Sequence, residues 1–522
     1  MKQLSGLDAG FLYMETPTTF GHVNSLSVYR RPRSKDFDPY QLFRSHLEAR
    51  LPDLEPFRRR LVEVPFQLDH PWWIDDPDFD LDFHVRHIAV PPPGGDEELA
   101  ALVARSIGRP LDRSRPLWEA YVIEGLTGNR WALLLKLHHA TIDGASGAEL
   151  LTMLLDTKPS KKLPTAEAAP SKGEPVPTPI EMLNRTALNY AIRPERLFRA
   201  QMRAMRDASA IAGQHRNDLL SAGVKAWSRL SSSVAGRGNR TDEQSAPSGG
   251  APPTPFNKSI TPNRRYAFRT ASLGEIKTIK NATGATVNDV VMTVCAGAMR
   301  KYLQRHDSPV DRPLVTMVPV SIRTGEEEDR WTNRVSSIFA ALPVHLDDPI
   351  ERLGFTHEAM IQAKSNFDLV PADALQDFAR FSPPAVFSQA AALATRMRIA
   401  DRVASPVNLV ISNVPGPREP LYLGPARLEH YYPVSTVAEG MGLNITVQSY
   451  EDKLDYGLVA CRELVPDLWD LMDLIMEEQG ELLALAKAAM AEQAGSDEGS
   501  PSANGAAPSG SAKQQKAGKT SS

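Results

Sequence analysis

Apolar and polar positions along the first 156 residues switch between helical and strand spacing, which predicts a mixed α/β unit. FDPYQLFRSHLEARL and GDEELAALVARSIGR carry apolar residues at helical spacing, the second placing Leu99, Leu102, Val103 and Ile107 on one face. EAYVIEGL and WALLLKLH are apolar runs separated by TGN, two strands across a tight turn. On the second strand Trp131, Leu133, Leu135, Leu137 and His139 share one face, and Ala132, Leu134, Lys136 and His138 take the other. Residues 157–180 are rich in Lys and Pro and form a linker. A basic stretch of helical composition and a second loose segment complete an insert that ends at 258.

A second α/β pattern occupies 259–490. It contains the helix TVNDVVMTVCAGAMRKYLQRH, the strands PLVTMVPVSIR, RVSSIFAALPV and VNLVISNVPGP, the hairpin GLNITVQSYEDKLDYGLVAC, and the closing helix PDLWDLMDLIMEEQGELLALAKAAM. Residues 491–522 are of low complexity and are expected to be disordered.

Composition narrows the function classes. A chain of 522 residues is too long for one core, and 42% apolar with 23% charged residues fits an ordinary globular protein. A formal net charge of -4 gives no global reason to expect nucleic acid. Two cysteines, Cys295 and Cys461, are too few for a disulfide framework or a thiolate zinc site and favour a reducing cytosol. The chain opens without the apolar core of a signal peptide, and no run reaches the ~20 apolar residues of a membrane span, so membrane contact is expected to be peripheral.

The candidate chemistry lies in HHATIDG, residues 138–144: a strand, a histidine pair, a tight turn with an acid, then a helix starting at Ser146 with Glu149 three residues later. An imidazole with a pKa near ~6.5 can take a proton from a hydroxyl at neutral pH and return it to a leaving group. The alternatives are a satisfied His–Asp pair and a metal site. Two histidines on opposite strand faces do not chelate one ion, and no further cluster supplies a third ligand, so no metal is expected. No GxSxG elbow occurs, which argues against a serine esterase.

HHATIDG matches the HHxxxDG motif of the CoA-dependent acyltransferases, which include chloramphenicol acetyltransferase-like enzymes and peptide-synthetase condensation domains. LSGLDAGFLYMETP, RSRPLWEAYVIEGL, TVNDVVM and ISNVPGP further resemble one branch, the bacterial wax ester synthase/acyl-CoA:diacylglycerol acyltransferases, over about residues 4–488. The resemblance implies an α/β (α+β) fold of two chloramphenicol acetyltransferase-like subdomains, 1–156 and 259–490, with the active site at their interface. The basic insert and the C-terminal tail depart from the family pattern.

The same resemblance implies site roles. His139 is the general base and His138 a neighbour that shapes the strand end. Asp143 holds the turn, with Arg323 one candidate partner, and Gly144 permits it. Asn288 has two readings, an oxyanion donor or, with Asp289, a cap of its helix. Pro116, Leu117 and Trp118 match the PLW motif, with Trp118 read more readily as core than as substrate wall. Ser412, Asn413, Pro415 and Gly416 match SNVPGP. Cys295 is read as packing rather than as an acyl carrier. The implied substrates are acyl-CoA and either diacylglycerol or a fatty alcohol, with no bound cofactor, no nucleic acid and no protein partner. The implied location is cytoplasmic, peripheral to the inner face of the membrane or to lipid inclusions. A competing class, a non-catalytic lipid-binding protein, predicts no CoA release. Within the insert, Arg196, Arg199, Arg203 and Arg206 alternate with Leu197, Phe198, Met202 and Met205, a pattern fit either to anchor on an anionic lipid surface or to pack on the protein.

Overall fold

The computed structural model describes residues 1–142, 151, 153–165, 172–192, 251–321, 335–368 and 384–498. In chain order the elements are β1 (Lys2–Gln3), α1 (Gly6–Tyr13), β2 (His22–Arg30), α2 (Pro39–Arg50), β3 (Arg59–Val62), β4 (Trp72–Asp75), β5 (Val85–Ala89), α3 (Asp96–Ile107), β6 (Trp118–Leu126), β7 (Arg130–His138) and α4 (Pro179–Ile192). There follow β8 (Arg264–Ser272), α5 (Leu273–Thr283), α6 (Val287–Arg305), β9 (Leu314–Ser321), β10 (Val335–Leu342), α7 (Pro349–Asp368) and α8 (Pro384–Arg396). The chain ends with β11 (Leu409–Val414), β12 (Tyr422–Leu423), β13 (Ala426–Val434), β14 (Leu443–Tyr450), β15 (Lys453–Cys461) and α9 (Leu468–Glu498).

Local chemistry sets the boundaries. Asp38 caps α2 with Pro39 in its first turn, and α3 opens on Asp96, Glu97 and Glu98, where carboxylates favour the helix N-terminus. Gly128 and Asn129, both at positive φ, turn β6 into β7 at the expected TGN.

Two six-stranded sheets carry the fold, in the orders β12-β13-β2-β7-β6-β5 and β10-β9-β11-β14-β15-β8. A small third sheet, β1-β4-β3, flanks the first. β7 is a central strand, which is why its sequence is apolar on both faces. Trp131, Leu133, Leu135 and Leu137 join one core with Phe43 and Leu47 of α2, while Ala132 and Leu134 join another with Leu99 and Val103 of α3. That second core also takes in Tyr266 and Phe268 of β8 and so spans both halves. A third core fills the second half between its sheet and α5, α6, α7 and α9.

The sheets divide the chain differently from a break between 156 and 259. β12 and β13, which lie within 259–490, complete the first sheet: β13 pairs antiparallel with β2, Val434 opposite Asn24. Phe256, placed in the insert by sequence, is fully buried in the second half's core, and Asn257 donates to the Asn408 and Gly440 carbonyls. The last helix runs to Glu498, past Met490 where it was expected to end. The Arg-rich stretch of the insert lies outside the described residues.

β13 also touches the second sheet. A Cβ on Gly457 of β15 would lie 1.8 Å from the Pro433 carbonyl oxygen, so the two backbones approach as only glycine allows. Beside them the buried Asp455 accepts from the Thr270 hydroxyl at 2.5 Å and from the Tyr431 N–H at 2.8 Å. Gly457→Ala is therefore expected to destabilise the protein by roughly 3 kcal/mol or more, because neither partner atom is a side chain that can swing away. A thermal melt of the variant checks this, and an unchanged melting temperature would contradict the packing.

Candidate active site

The histidine pair sits where β7 leaves the first sheet. His138 ends the strand opposite His22 of β2, and its N–H donates to the Leu117 carbonyl at 3.0 Å, so the PLW segment abuts the pair. The His139 N–H donates to the Gly21 carbonyl at 2.7 Å, and its ring stacks on Phe11 of α1 with centroids 4.8 Å apart. His138 is buried and His139 half-buried.

Their chemistry differs accordingly. Nδ1 of His138 lies 3.0 Å from the Ala140 N–H and must accept from it, so the ring proton belongs on Nε2, which lies 3.2 Å from Glu15 Oε1. The lone pair of Nδ1 is thus taken up within the protein, and a general base needs a lone pair turned to its substrate. Burial, and then the charge of Lys136, hold the pKa of His22 well below its ordinary value and keep this neighbour neutral.

Glu15 organises the strand end. Its Oε1 accepts from the Gly21 N–H at 2.8 Å and its Oε2 from Arg113 at 2.8 Å. Burial alone would raise the Glu15 carboxyl, but His138, the Gly21 N–H and Arg113 together hold it well below the usual carboxylate range. Arg113 also donates to the Leu12 carbonyl at 2.7 Å, which ties the end of α1 into the same cluster. A Cβ on Gly21 would lie 2.7 Å from His138 Nε2, so the ring fits only beside glycine. On the outer side of Glu15 and Arg113 a cleft of about 540 Å³ opens, walled also by Leu12, Val64, Phe66 and Ala392.

The other candidates separate. Asp143, Gly144, Ser146, Glu149 and Arg323 lie outside the described residues. Asn288 is in the first turn of α6, half-buried, with no hydrogen bond to its side chain among the described residues. The cap there is a reciprocal pair between Thr286 and Asp289, whose carboxylate also lies 2.8 Å from His357 Nδ1. Trp118 is core: its indole donates to the Phe57 carbonyl at 2.8 Å and stacks on His84. Ser412 and Asn413 lie on β11, and a Cβ on Gly416 would meet the Ser449 carbonyl at 2.0 Å, which presses the turn after β11 onto the end of β14. Cys295 is fully buried in α6, and burial pushes its thiol up to about 12, which leaves no thiolate for acyl transfer. Among the described residues no group of His, Cys, Asp or Glu is arranged to hold a metal ion.

Sequence reasoning passed over Glu15, Gly21 and Arg113. Glu15 and Arg113 both lie inside motifs that it quoted, LSGLDAGFLYMETP and RSRPLW, as charged residues flanking apolar ones. Their partnership becomes visible only once β2 and β7 are paired.

Two α/β halves, with a histidine pair at the end of a central strand, define the CoA-dependent acyltransferase fold. Residues 4–291 match the wax ester synthase/diacylglycerol acyltransferase catalytic domain, and 331–482 the WS/DGAT C-terminal domain. The chain belongs to the wax ester synthase/diacylglycerol acyltransferase family and is an acyltransferase. A protein assigned as a diacylglycerol O-acyltransferase in Mycobacterium tuberculosis is 34% identical over 92% of this chain and 90% of its own. The wax ester synthase/diacylglycerol acyltransferase of Marinobacter aquaeolei VT8 is 28% identical, with a TM-score of 0.62 over 93% of this chain and 100% of its own. A mutant starter condensation domain of rhizomide synthetase, solved with C8-CoA and Leu-SNAC, shares the fold at 13% identity and a TM-score of 0.51 over 93% of this chain and 94% of its own.

Removing Glu15 strands Arg113 and His138 together. Glu15→Ala is expected to cost on the order of 2 kcal/mol of stability or more and to lower kcat. Equilibrium unfolding and turnover on the same preparation check this; unchanged stability would show that the cluster is not held by the carboxylate.

Proposed function

We propose that the enzyme transfers a long-chain acyl group from acyl-CoA directly to diacylglycerol, releasing triacylglycerol and CoA, with His139 as the general base. His139 takes the proton of the free hydroxyl, and the oxygen attacks the thioester carbonyl to form a tetrahedral oxyanion. The C–S bond then breaks and the imidazolium returns the proton to the CoA thiolate. The observation that supports this reading is the difference in exposure within the pair: His138 is buried, with its Nδ1 taken up by the Ala140 N–H, whereas His139 is half-buried and held by its backbone to Gly21. In this reading Asp143 holds the turn after the pair and Asn288 donates to the oxyanion. A fatty alcohol is the second acceptor, in line with the wax ester synthase of the Marinobacter relative's name. Because either acceptor is insoluble in water, the enzyme works at the cytoplasmic face of a membrane or on lipid inclusions. No helix of the described residues is long and apolar enough to cross a membrane.

The test offers palmitoyl-CoA with dioleoylglycerol or hexadecanol, separately, to purified protein and follows the released thiol. Release dependent on dioleoylglycerol, and lost in a folded His139→Ala variant, is expected. No release with either acceptor would favour a lipid-binding protein, and retained turnover in the variant would remove the base. Asn288→Ala is expected to lower kcat about a hundredfold with a smaller change in KM. A loss confined to stability, with turnover unchanged, would instead remove Asn288 from the oxyanion and leave it a structural residue of the helix start.

A further inference from the structure

The cleft beside Glu15 and the ring of His139 share one helix. Phe11 of α1 stacks on that ring, and the next two residues, Leu12 and Tyr13, belong to the cleft wall. Glu15, in the same wall, lies 3.2 Å from His138 Nε2, so a single side chain separates the cleft from the histidine pair.

The wall is apolar through Leu12, Val64 and Pro71, and its charges are unequal: the carboxylates of Glu15, Glu63 and Asp69 stand against the guanidinium of Arg113. Arg113 is already engaged, donating to Glu15 at 2.8 Å, to Glu63 at 3.1 Å and to the Leu12 carbonyl at 2.7 Å. Asp69 accepts from the His70 N–H at 2.8 Å and from Asn189 at 3.3 Å, and neither donor is a cation. Burial, and then the charges of Asp69 and Glu63, push the pKa of Tyr13 well up and keep its hydroxyl protonated, 2.9 Å from His70 Nδ1. The two substrates of a direct transfer differ in charge: acyl-CoA carries phosphates, whereas the acceptor is a neutral lipid with a free hydroxyl. A wall with an excess of carboxylates repels phosphate strongly at short range, and it accepts hydrogen bonds from a hydroxyl.

We infer that this cleft takes the acceptor, a neutral lipid bearing a free hydroxyl, and that Glu63 and Asp69 reject from it both phosphorylated lipids and the CoA end of the donor. This assignment rests on the direct transfer given under Proposed function and names the side from which the acceptor comes. Acyl-CoA then reaches His139 from another side, and the two substrates are sorted by charge before they meet.

The test is steady-state kinetics of the full chain in mixed micelles, with palmitoyl-CoA and dioleoylglycerol varied independently. Gln389 and Ala392 of α8 are exposed wall residues, so Gln389→Trp and Ala392→Trp narrow the cleft without entering the core. Each is expected to raise KM for dioleoylglycerol about tenfold or more, with KM for palmitoyl-CoA and the melting temperature unchanged. Dioleoyl phosphatidate, which differs from dioleoylglycerol by its phosphate alone, probes the charge. Its inhibition constant against dioleoylglycerol is expected to exceed KM for that acceptor about tenfold or more in wild type. It is expected to fall towards KM in Glu63→Gln combined with Asp69→Asn, substitutions that keep an oxygen for Arg113 and Asn189. A wild type that releases no CoA with any acceptor removes the transfer and this cleft's substrate with it. Normal wild-type turnover, with neither KM moved by the tryptophans, overturns the cleft alone, and a raised KM for palmitoyl-CoA gives the cleft to the donor. Phosphatidate that inhibits wild type and the double variant equally overturns the role of the two carboxylates.

Discussion

A carboxylate removed from water has to be met by donors, and in this chain the donors that meet Glu15 come from three separate segments. Arg113 reaches it from the loop before β6, Gly21 from the start of β2 and His138 from the end of β7. Leaving such a group unpaired in the interior costs several kcal/mol, so the three segments cannot drift apart independently. The end of α1 is bound in as well, through Leu12, and α1 in turn supplies Phe11 against the ring of His139. The geometry of the pair is thus fixed mainly from the first half of the chain. The second half meets it at the edge, where the Thr436 hydroxyl donates to the Phe20 carbonyl at 2.8 Å and Arg264 donates to the Thr18 carbonyl.

The histidines illustrate how adjacent identical residues acquire different chemistry. His138 is the last residue of β7 and His139 the first of the turn, where its ring meets Phe11, and the local backbone does the rest. The Ala140 N–H fills the lone pair of His138 Nδ1, which fixes its tautomer without any further residue. Lys136, two positions earlier on the same face, is likewise enclosed: it donates to the Ser106 and Arg109 carbonyls at the end of α3 and lies 3.5 Å from Glu119. Burial pushes its pKa down to about 8, with Glu119 opposing the shift. That face of β7 is thus polar at its C-terminal end but closed there.

What could be read from the sequence was what periodicity carries. The face assignment of β7, the helix α3, the hairpin β14–β15 and the capped start of α6 all follow from spacing within a single segment. The HHxxxDG resemblance supplied the fold and the histidines. Three things were not legible, for one reason. Glu15 and Arg113 meet across 98 residues, β2 carries His22, Asn24, Ser25 and Ser27 and so lacks an apolar run, and β13 joins a sheet formed otherwise from the first half. Each depends on partners distant in the chain, and a local pattern does not encode them. For the second-half helix, one of the two sequence readings made Asn288 a cap together with Asp289; the structure gives the cap to Thr286 and Asp289.

The return of β13 has a consequence for biosynthesis. Asn24 and Val434, which face each other in the first sheet, are 410 residues apart. At a ribosomal rate of 5–20 residues per second, β2 leaves the exit tunnel roughly 20–80 s before its neighbour exists. Once β5, β6 and β7 have been made and have joined β2, its other edge still has unmatched N–H and C=O groups until β13 arrives, a template on which nascent chains of the same sequence can pair with one another. Slower elongation through residues 30–426 lengthens the exposure.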